Sequence, residues 1–211
     1  NDVLNENPGI KHVITVRGKM EATRTQNLED LIEENELSEA NLAKLAESNP
    51  DPMQVAHMGP TGGTTGTPKI VPRIHNSLTC CAEHCSLSWD QHCEDINLIV
   101  GPIGHDLSFT KGFLGSVITM GKVFLLDNTE NKAICETIEQ EKISSIIWVP
   151  TLAQRMLQYE DLDKFDLTSL RKMHSGGGAS HQETIQGVIE KLKMKFYNGY
   201  GATEGMTTIT R

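Results

Sequence analysis

The chain of 211 residues carries 19 basic and 28 acidic side chains, which gives a formal net charge of -9. This charge argues against a nucleic-acid surface or an anionic membrane partner, because both attract clustered lysine and arginine. No run approaches the roughly 20 apolar residues of a membrane span, and the polar start at Asn1 is not typical of a signal peptide. The sequence predicts a cytoplasmic protein and gives no indication of its oligomeric state.

The first quarter of the chain predicts a short strand from His12 to Val16 and then surface helices between Leu28 and Glu47. A breaker with two prolines follows, after which Gln54 to Met58 is a candidate strand. We expect residues 1–50 to hold the first strand and the connecting helices, and residues 51–211 to form a βα core.

Beyond residue 58, apolar strands alternate with helical segments. The predicted strands are Ile96–Val100, Lys122–Leu126, Ile143–Val149, Leu170–His174 and Lys195–Asn198, and the predicted helices are Ser77–Ser88 with Asn76 as its cap, Leu107–Met120, Asn131–Lys142, one that begins at Pro150, and Gln182–Met194. Glycine turns are expected at residues 175–179 and 199–201. This alternation predicts an α/β fold, with a mainly parallel sheet and helices on both faces.

The stretch from Thr61 to Lys69 reads T-G-G-T-T-G-T-P-K and predicts a phosphate-binding loop. Glycine permits positive φ, successive N–H groups form an anion-binding nest, and Lys69 supplies a positive charge. A Walker loop requires G-x-x-x-x-G-K-[ST] and a dinucleotide fingerprint requires G-x-G-x-x-G, and this order provides neither. We also expect the loop to follow the end of a sheet strand, where open α/β sheets bind ligands.

Three later segments add to this loop. Gly101 to Asp106 reads G-P-I-G-H-D, Ser175 to Gly178 reads S-G-G-G, and Tyr200 to Glu204 reads Y-G-A-T-E. Together with the loop, these segments resemble the P-x-x-H, S-G-G-A and Y-G-x-T-E motifs of the adenylate-forming enzymes, which include acyl- and aryl-CoA synthetases, luciferases and peptide-synthetase adenylation domains. The resemblance covers essentially the whole chain and implies the central part of the large N-terminal AMP-binding domain.

The resemblance implies an acid-thiol ligase. Such an enzyme uses ATP to activate a small-molecule carboxylic acid as an acyl-adenylate, releases pyrophosphate, and passes the acyl group to coenzyme A or a carrier-protein thiol. Positioning and charge stabilisation are what this chemistry chiefly requires of a protein.

The same resemblance assigns roles to single residues. The β- and γ-phosphates of ATP would be wrapped by Thr61, Gly62, Gly63, Thr64, Thr65 and Gly66, with Lys69 adding positive charge. Across from them, Thr203 would contact the α-phosphate, Glu204 would bind Mg²⁺, and Tyr200 would lie against adenine on a turn shaped by Asn198, Gly199 and Gly201. The backbone of Gly176, Gly177 and Gly178 would pass between adenine and the acyl group, where any side chain would fill the pocket.

The acid itself is less well specified. By resemblance, His105 would lie near the reacting carboxylate, and Asp106 would face a ring substituent of an aryl acid. A buried Asp106 would need a donor, which a hydroxylated or amino-substituted aryl acid could supply. The alternative is a solvated Asp106, or one that caps the following helix through Ser108. The run Val71 to Asn76 also favours the aryl-acid branch over the fatty-acyl branch.

Two other interpretations stay open. The chain could be a non-catalytic nucleotide-binding module of the same family, since the family's ribose-binding aspartate, its hinge and its small C-terminal domain with the catalytic lysine would come after Arg211; we expect the chain by itself to be inactive. Alternatively, the cysteines and histidines from Cys80 to Cys93 could bind a metal, but the segment holds no C-x-x-C pair and its apolar spacing is helical.

Overall fold

The computed structural model describes residues 6, 8–9, 12–15, 25–34, 38–61, 66, 68–205 and 207–210. They fall into two compact units, residues 1–50 and residues 51–211. In the first unit, strands β1 (Val13–Thr15) and β2 (Thr25–Asn27) pair in parallel, and helices α1 (Leu28–Glu34) and α2 (Glu39–Glu47) follow. Ser38 caps α2 by accepting a hydrogen bond from the backbone N–H of Asn41.

The second unit is built on a six-stranded sheet. Its strands are β5 (Ile96–Val100), β6 (Lys122–Leu126), β7 (Ser145–Trp148), β8 (Lys172–Gly176), β9 (Lys195–Gly201) and β10 (Thr207–Thr210), in the spatial order β10-β9-β8-β7-β5-β6. The five strands from β5 to β9 pair in parallel, and β10 pairs with β9 in the antiparallel direction. The predicted mainly parallel sheet is confirmed, and the antiparallel edge strand was not predicted.

Helices connect these strands. They are α3 (His75–Ser88), a π-helix (Leu107–Leu114) that runs into α4 (Gly115–Ile118), α5 (Asn131–Glu141), α6 (Pro150–Leu157), a 3₁₀ turn (Leu162–Lys164) and α7 (Gln182–Glu190). Among the described residues, no helix combines the length and the apolar character needed to cross a membrane.

Alternate residues of the central strands enter different cores. Leu98 and Ile146 belong to a large cluster with residues of α5, α6 and α7, whereas the neighbouring Ile99 and Ile147 pack with Trp89 and other residues on the opposite side. Because successive side chains of a strand point to opposite faces, the two clusters cover the two faces of the sheet. The prediction of helices on both faces is therefore confirmed.

The sequence predicted that the threonine-glycine loop follows a strand of this sheet, and this prediction is wrong. Strand β3 (Val55–Pro60) precedes the loop, β4 (Ile70–Ile74) follows it, and the two strands form a separate antiparallel sheet. Strand β4 was not predicted, because Pro72 interrupts its apolar pattern; a proline is nevertheless tolerated in a strand that has few neighbours. The loop is therefore the connection of a hairpin.

Two local boundaries also differ from the prediction. Helix α3 begins at His75, directly after Ile74 and without a side-chain cap, so Asn76 is not its N-cap. The glycine turn expected at residues 199–201 is instead the end of β9, where Gly199 and Gly201 oppose Ile209 and Thr207 of β10. Pairing with β10 keeps this glycine-containing segment extended, an effect that local sequence does not reveal.

Candidate active site

Parallel strands bring three of the four predicted segments to one edge of the sheet. The segment with His105 follows β5, the glycine turn follows β8, and the segment from Tyr200 to Glu204 spans the end of β9. The carboxyl ends of parallel strands lie on the same edge, which is where open α/β sheets bind ligands. Segments that are far apart in sequence therefore become neighbours.

A cavity of about 170 Å³ lies between these segments. It is lined by Trp89, His105, Asp106, Leu107, Lys111, Gly176, Gly177, Gly199, Tyr200, Gly201, Ala202, Thr203 and Thr207. The sequence-predicted residues His105, Asp106, Gly176, Gly177, Gly199, Tyr200, Gly201 and Thr203 are thus brought together. Asn198 and Gly178 flank the cavity in the chain, and Glu204 directly follows its Thr203 edge.

Arg73, to which no sequence motif assigned a separate role, holds this region together. Its guanidinium is only 3% exposed. It donates hydrogen bonds to the Thr203 carbonyl oxygen at 2.8 Å and to the Ser77 hydroxyl at 3.0 Å, and it lies 3.4 Å from Asp106 Oδ1. One side chain of β4 thereby joins the hairpin, helix α3, the His105 segment and the turn that carries Glu204.

Asp106 is buried between two cations. Its Oδ1 faces Arg73, and its Oδ2 lies 2.7 Å from Lys111 Nζ. Asp106 precedes the π-helix without making a side-chain cap, so the alternative of a solvated or capping Asp106 is wrong. Arg73 and Lys111 supply the donors that we had assigned to a substrate. The signal for Lys111 was available, since it is the single charged residue in the otherwise apolar and small segment L-S-F-T-K-G-F-L.

The three glycines at the end of β8 and directly after it have different structural requirements. A Cβ at Gly176 would lie 3.2 Å from the Gly199 carbonyl oxygen and 3.3 Å from Leu107 Cδ1, so neighbouring protein atoms exclude it. Gly177 has φ of +79°, which disfavours any other residue. A Cβ at Gly178 would make ordinary contacts with Pro150 at 3.8 Å and 3.9 Å. The role of these three glycines in leaving room for a ligand stays a prediction.

The base of the threonine-glycine loop is closed by two hydrogen bonds. The Thr61 N–H donates to the Lys69 carbonyl oxygen at 2.8 Å, and the Lys69 N–H donates to the Thr61 hydroxyl at 3.2 Å. Lys69 is exposed, and Gly66 has φ of +138°. Gly62, Gly63, Thr64 and Thr65 lie outside the described residues.

The hairpin contacts the segment that carries Glu204. A Cβ at Gly59, in β3, would lie 3.1 Å from Thr203 Cγ2, so the two backbones approach closely there. Glu204 is exposed, and the structure shows no ion pair for it among the described residues. Tyr200 is 68% exposed, which leaves much of its ring accessible beside the cavity. Asn198 lies two residues earlier in β9, where its Oδ1 accepts a hydrogen bond from the Ser180 hydroxyl at 3.1 Å.

His105 lies between two cavities. It lines the 170 Å³ cavity and also an apolar cavity of about 320 Å³ that includes Val100, Trp148 and Leu152. Its Nδ1 accepts a hydrogen bond from the Leu107 N–H at 3.3 Å, which orients the exposed imidazole at the start of the π-helix. A histidine in this position can contact ligands on both of its sides.

A stack of aromatic rings lies beside the cavity. His174 is fully buried between Trp89 and Tyr197, with ring-centroid distances of 4.7 Å and 5.2 Å. Burial, with a smaller contribution from the nearby positive charge of Lys172, lowers the pKa of His174 to about 3. His174 is therefore a neutral core residue that packs against one wall of the site.

The cysteines do not assemble as a metal site in the described residues, where no three His, Cys, Asp or Glu side chains are grouped as ligands. Cys81 and Cys85 are buried on α3, whereas Cys80 and Cys93 are exposed. A hydrogen bond between Cys81 and Cys85 lowers the pKa of Cys81 to about 6 and raises that of Cys85. Cys81 also contacts the Gly205 carbonyl oxygen at 3.6 Å, so this thiol packs beneath the turn that follows Glu204.

Comparison with characterised proteins identifies relatives of the whole chain. It is 30% identical over 214 residues to the 2-hydroxy-7-methoxy-5-methyl-1-naphthoate–CoA ligase of Streptomyces carzinostaticus, covering 100% of this chain and 38% of the relative. It is 31% identical over 209 residues to the vibriobactin-specific 2,3-dihydroxybenzoate-AMP ligase of Vibrio cholerae, covering 97% of this chain and 36% of the relative. The chain thus spans less than two-fifths of the length of these relatives.

The fold is also found in solved structures. The anthranilate CoA ligase AuaEII in complex with anthranoyl-AMP superposes with a TM-score of 0.81 at 18% identity, over 96% of this chain and 38% of the other. At this identity the likeness concerns the fold. The sequence model of the AMP-binding enzymes matches residues 3–211, almost the entire chain. The chain belongs to the AMP-binding enzyme family, the adenylate-forming enzymes.

Proposed function

We propose that the protein activates a compact carboxylic acid, an aryl acid in preference to a fatty acid, by transferring AMP from ATP to its carboxylate. The acyl-adenylate then passes its acyl group to coenzyme A. The observation that carries this proposal is the convergence of the His105, Gly176–Gly177 and Tyr200–Thr203 segments on one cavity at the carboxyl edge of the sheet.

The residues beside the cavity suit the nucleotide. Tyr200 presents an accessible ring next to the backbone of Gly176 and Gly177, and a purine can stack on such a ring. The hairpin connection from Thr61 to Lys69 begins two residues after Gly59, which approaches Thr203. A loop held there can receive the terminal phosphates of ATP, because Gly66 has a positive φ and the exposed Lys69 is accessible to an anion. We assign Gly62, Gly63, Thr64 and Thr65 to the same phosphates on the basis of the loop's sequence motif.

Glu204 suits a Mg²⁺ ion that accompanies ATP. Magnesium in proteins is commonly held by one or two carboxylates together with substrate phosphates. Glu204 is exposed, and no described cation neutralises it, so its oxygens are available to a metal. When bound, Mg²⁺ would neutralise charge on the phosphates. Thr203, whose backbone is fixed by Arg73, would place its hydroxyl toward the α-phosphate.

The size of the cavity favours a compact acid. A cavity of about 150 Å³ accommodates benzene in another protein, so the 170 Å³ here suits one aromatic ring or a short chain. The names of the two relatives given above both specify hydroxylated aryl acids, which supports the aryl class. His105 at the boundary of the cavity would orient the reacting carboxylate.

In this mechanism the chain supplies positioning rather than a nucleophile. The acid's carboxylate oxygen attacks the α-phosphorus, and the bond from that phosphorus to the bridging oxygen of pyrophosphate breaks. Lys69 and the loop N–H groups stabilise the charge that gathers on the leaving pyrophosphate. The glycine backbone beside Tyr200 permits close approach of the adenylate, while Trp89 and Leu107 exclude water from the ring of the acid.

The test is acid-dependent exchange of labelled pyrophosphate into ATP by the complete protein. A panel of benzoates and C8–C16 fatty acids would be compared with Mg²⁺ present, and we expect exchange with at least one aryl acid and little with fatty acids. Addition of coenzyme A should then release an aryl-CoA product. Transfer only to a carrier-protein thiol would show that coenzyme A is not the acceptor in the second step. ATP binding by calorimetry without exchange for any acid would contradict the proposal and favour a non-catalytic module.

A further inference from the structure

Lys111 is a buried cation at the cavity wall, and this is the feature of the site that the general reaction does not use. It lies on the π-helix, five residues after Asp106, and is only 6% exposed. Its Nζ is 2.7 Å from Asp106 Oδ2. A lysine is rarely buried unless its charge is compensated, so its surroundings must be accounted for.

The protein compensates Lys111 incompletely. An ammonium group has three N–H donors, and in the described part of the chain Asp106 is the acceptor that the structure gives it. Asp106 is shared, because its other oxygen faces Arg73. Lys111 therefore keeps donor capacity that faces the cavity.

The cavity wall at Lys111 has more donor than acceptor capacity. Both oxygens of Asp106 are already placed against Arg73 and Lys111, whereas the Lys111 ammonium keeps N–H donors that Asp106 does not take. A ligand group complementary to this wall therefore accepts hydrogen bonds. A carboxylate is acceptor-only, can take several N–H bonds and carries the opposite charge.

We propose that Lys111 is a specificity-determining residue that receives a second carboxylate of the substrate, so that the activated acid is a compact dicarboxylic acid. This inference rests on the proposed function, since it names the substrate class of the same cavity. One carboxylate would react beside His105, and the other would lie against Lys111. The 170 Å³ volume limits such a substrate to a single ring or a short chain.

Two measurements test the inference. Trp fluorescence of the complete protein would be titrated with benzene-1,3-dicarboxylate, benzene-1,4-dicarboxylate, 3-hydroxybenzoate and benzoate without ATP, and the same acids would be compared in pyrophosphate exchange. Loss of a charge-assisted hydrogen bond corresponds to a change on the order of 10- to 100-fold, so we expect one dicarboxylate to exceed benzoate by about that factor in both assays. Lys111→Met should abolish the preference, so that the dicarboxylates and benzoate become equal within about threefold of one another in both assays.

The variants separate specificity from folding. The exposed Lys132→Met is the matched control and should keep the preference for the dicarboxylate. If Lys111→Met fails to fold, the double variant Asp106→Asn with Lys111→Met removes both charges of the pair and should show the same lost preference.

The outcomes also separate this inference from the proposed function. Equal or better binding of benzoate or 3-hydroxybenzoate by the unmodified protein overturns the role of Lys111 while leaving adenylation intact. An equal loss of binding and exchange for all four acids in Lys111→Met also overturns the inference, because Lys111 would then hold the reacting carboxylate. Absence of exchange with every acid contradicts the proposed function, and the fluorescence titration still decides the inference.

Discussion

The Arg73 guanidinium and the Thr203 carbonyl oxygen are joined by a 2.8 Å hydrogen bond across 130 positions of sequence. Arg73 lies in the strand that follows the threonine-glycine loop, and Thr203 precedes the acidic residue assigned to Mg²⁺. The planar guanidinium also bonds to Ser77 and faces Asp106. The two walls of the proposed nucleotide site are thus held in register by one buried side chain.

Replacement of Arg73 by lysine should disrupt this connection. A lysine keeps the positive charge but cannot make several hydrogen bonds in the fixed directions of a guanidinium. Since the partly buried Thr203 carbonyl or the buried Asp106 carboxylate would lose a partner, we expect the free energy of unfolding to fall by about 2–4 kcal/mol. Chemical denaturation measures this change. The exposed Arg155→Lys is the control and should shift stability by less than about 0.5 kcal/mol. Equal stabilities of the two variants would contradict the role given to Arg73.

Gly176, Gly177 and Gly178 should respond differently to substitution by alanine. Gly178→Ala should be neutral or stabilising by about 0.4–1 kcal/mol, because the new Cβ makes ordinary contacts and the unfolded chain loses freedom. Gly177→Ala should be destabilising by about 1 kcal/mol or more because of its φ of +79°. Gly176→Ala should also destabilise the protein, since the new Cβ would lie 3.2 Å from the Gly199 carbonyl oxygen and 3.3 Å from Leu107 Cδ1. Melting temperatures of the three variants measure this order. The order would be refuted if Gly178→Ala were the one variant that lowered the melting temperature.

His174 should make stability depend on pH below neutrality. Its pKa is about 3 in the folded protein, whereas an unperturbed histidine has a pKa of about 6.5, so the unfolded chain binds more protons between these two pH values. The contribution of neutral His174 is complete above pH 6.5 and is lost as the pH falls toward 3, at no more than about 1.4 kcal/mol per pH unit.

The variant His174→Phe should flatten this pH dependence. Phenylalanine keeps an aromatic ring between Trp89 and Tyr197, and the described residues provide no hydrogen bond to the His174 ring nitrogens. Denaturant midpoints between pH 4 and 7 would be compared with those of the exposed control His84→Phe. An unchanged slope for His174→Phe would show that His174 is not the buried group responsible.

The alternation of strands and helices was readable from sequence because it depends on local patterns. Ile96–Val100 and Lys122–Leu126 were predicted with their observed boundaries, since apolar runs bounded by glycine, proline or polar residues are typical of strands. Pairing partners were harder to predict. Strand β4 and strand β10 are stabilised by neighbours distant from their own local signals, and the proline in β4 and the glycines near β10 suggested turns.

The candidate site was predicted in its motifs but not in its supporting residues. Tyr200, Thr203 and His105 stand in recognisable segments, and the fold brings them to one cavity. Arg73 and Lys111 lie outside those segments, and only the three-dimensional structure shows that both surround Asp106. A pairing across such separations depends on the packing of α3 and the π-helix, which a single sequence does not specify.

The variant Glu204→Gln tests the central claim most directly. Glutamine keeps the size of the side chain but removes the charge that would hold Mg²⁺, and Glu204 is exposed, so the fold should be unaffected. Acid-dependent pyrophosphate exchange at varied Mg²⁺ would be measured beside the exposed control Glu190→Gln. We predict a loss on the order of 100-fold or more in kcat/KM for Glu204→Gln, equal melting temperatures, and full activity of the control. An unchanged exchange rate for Glu204→Gln would contradict the assignment of this edge of the sheet as the adenylation site.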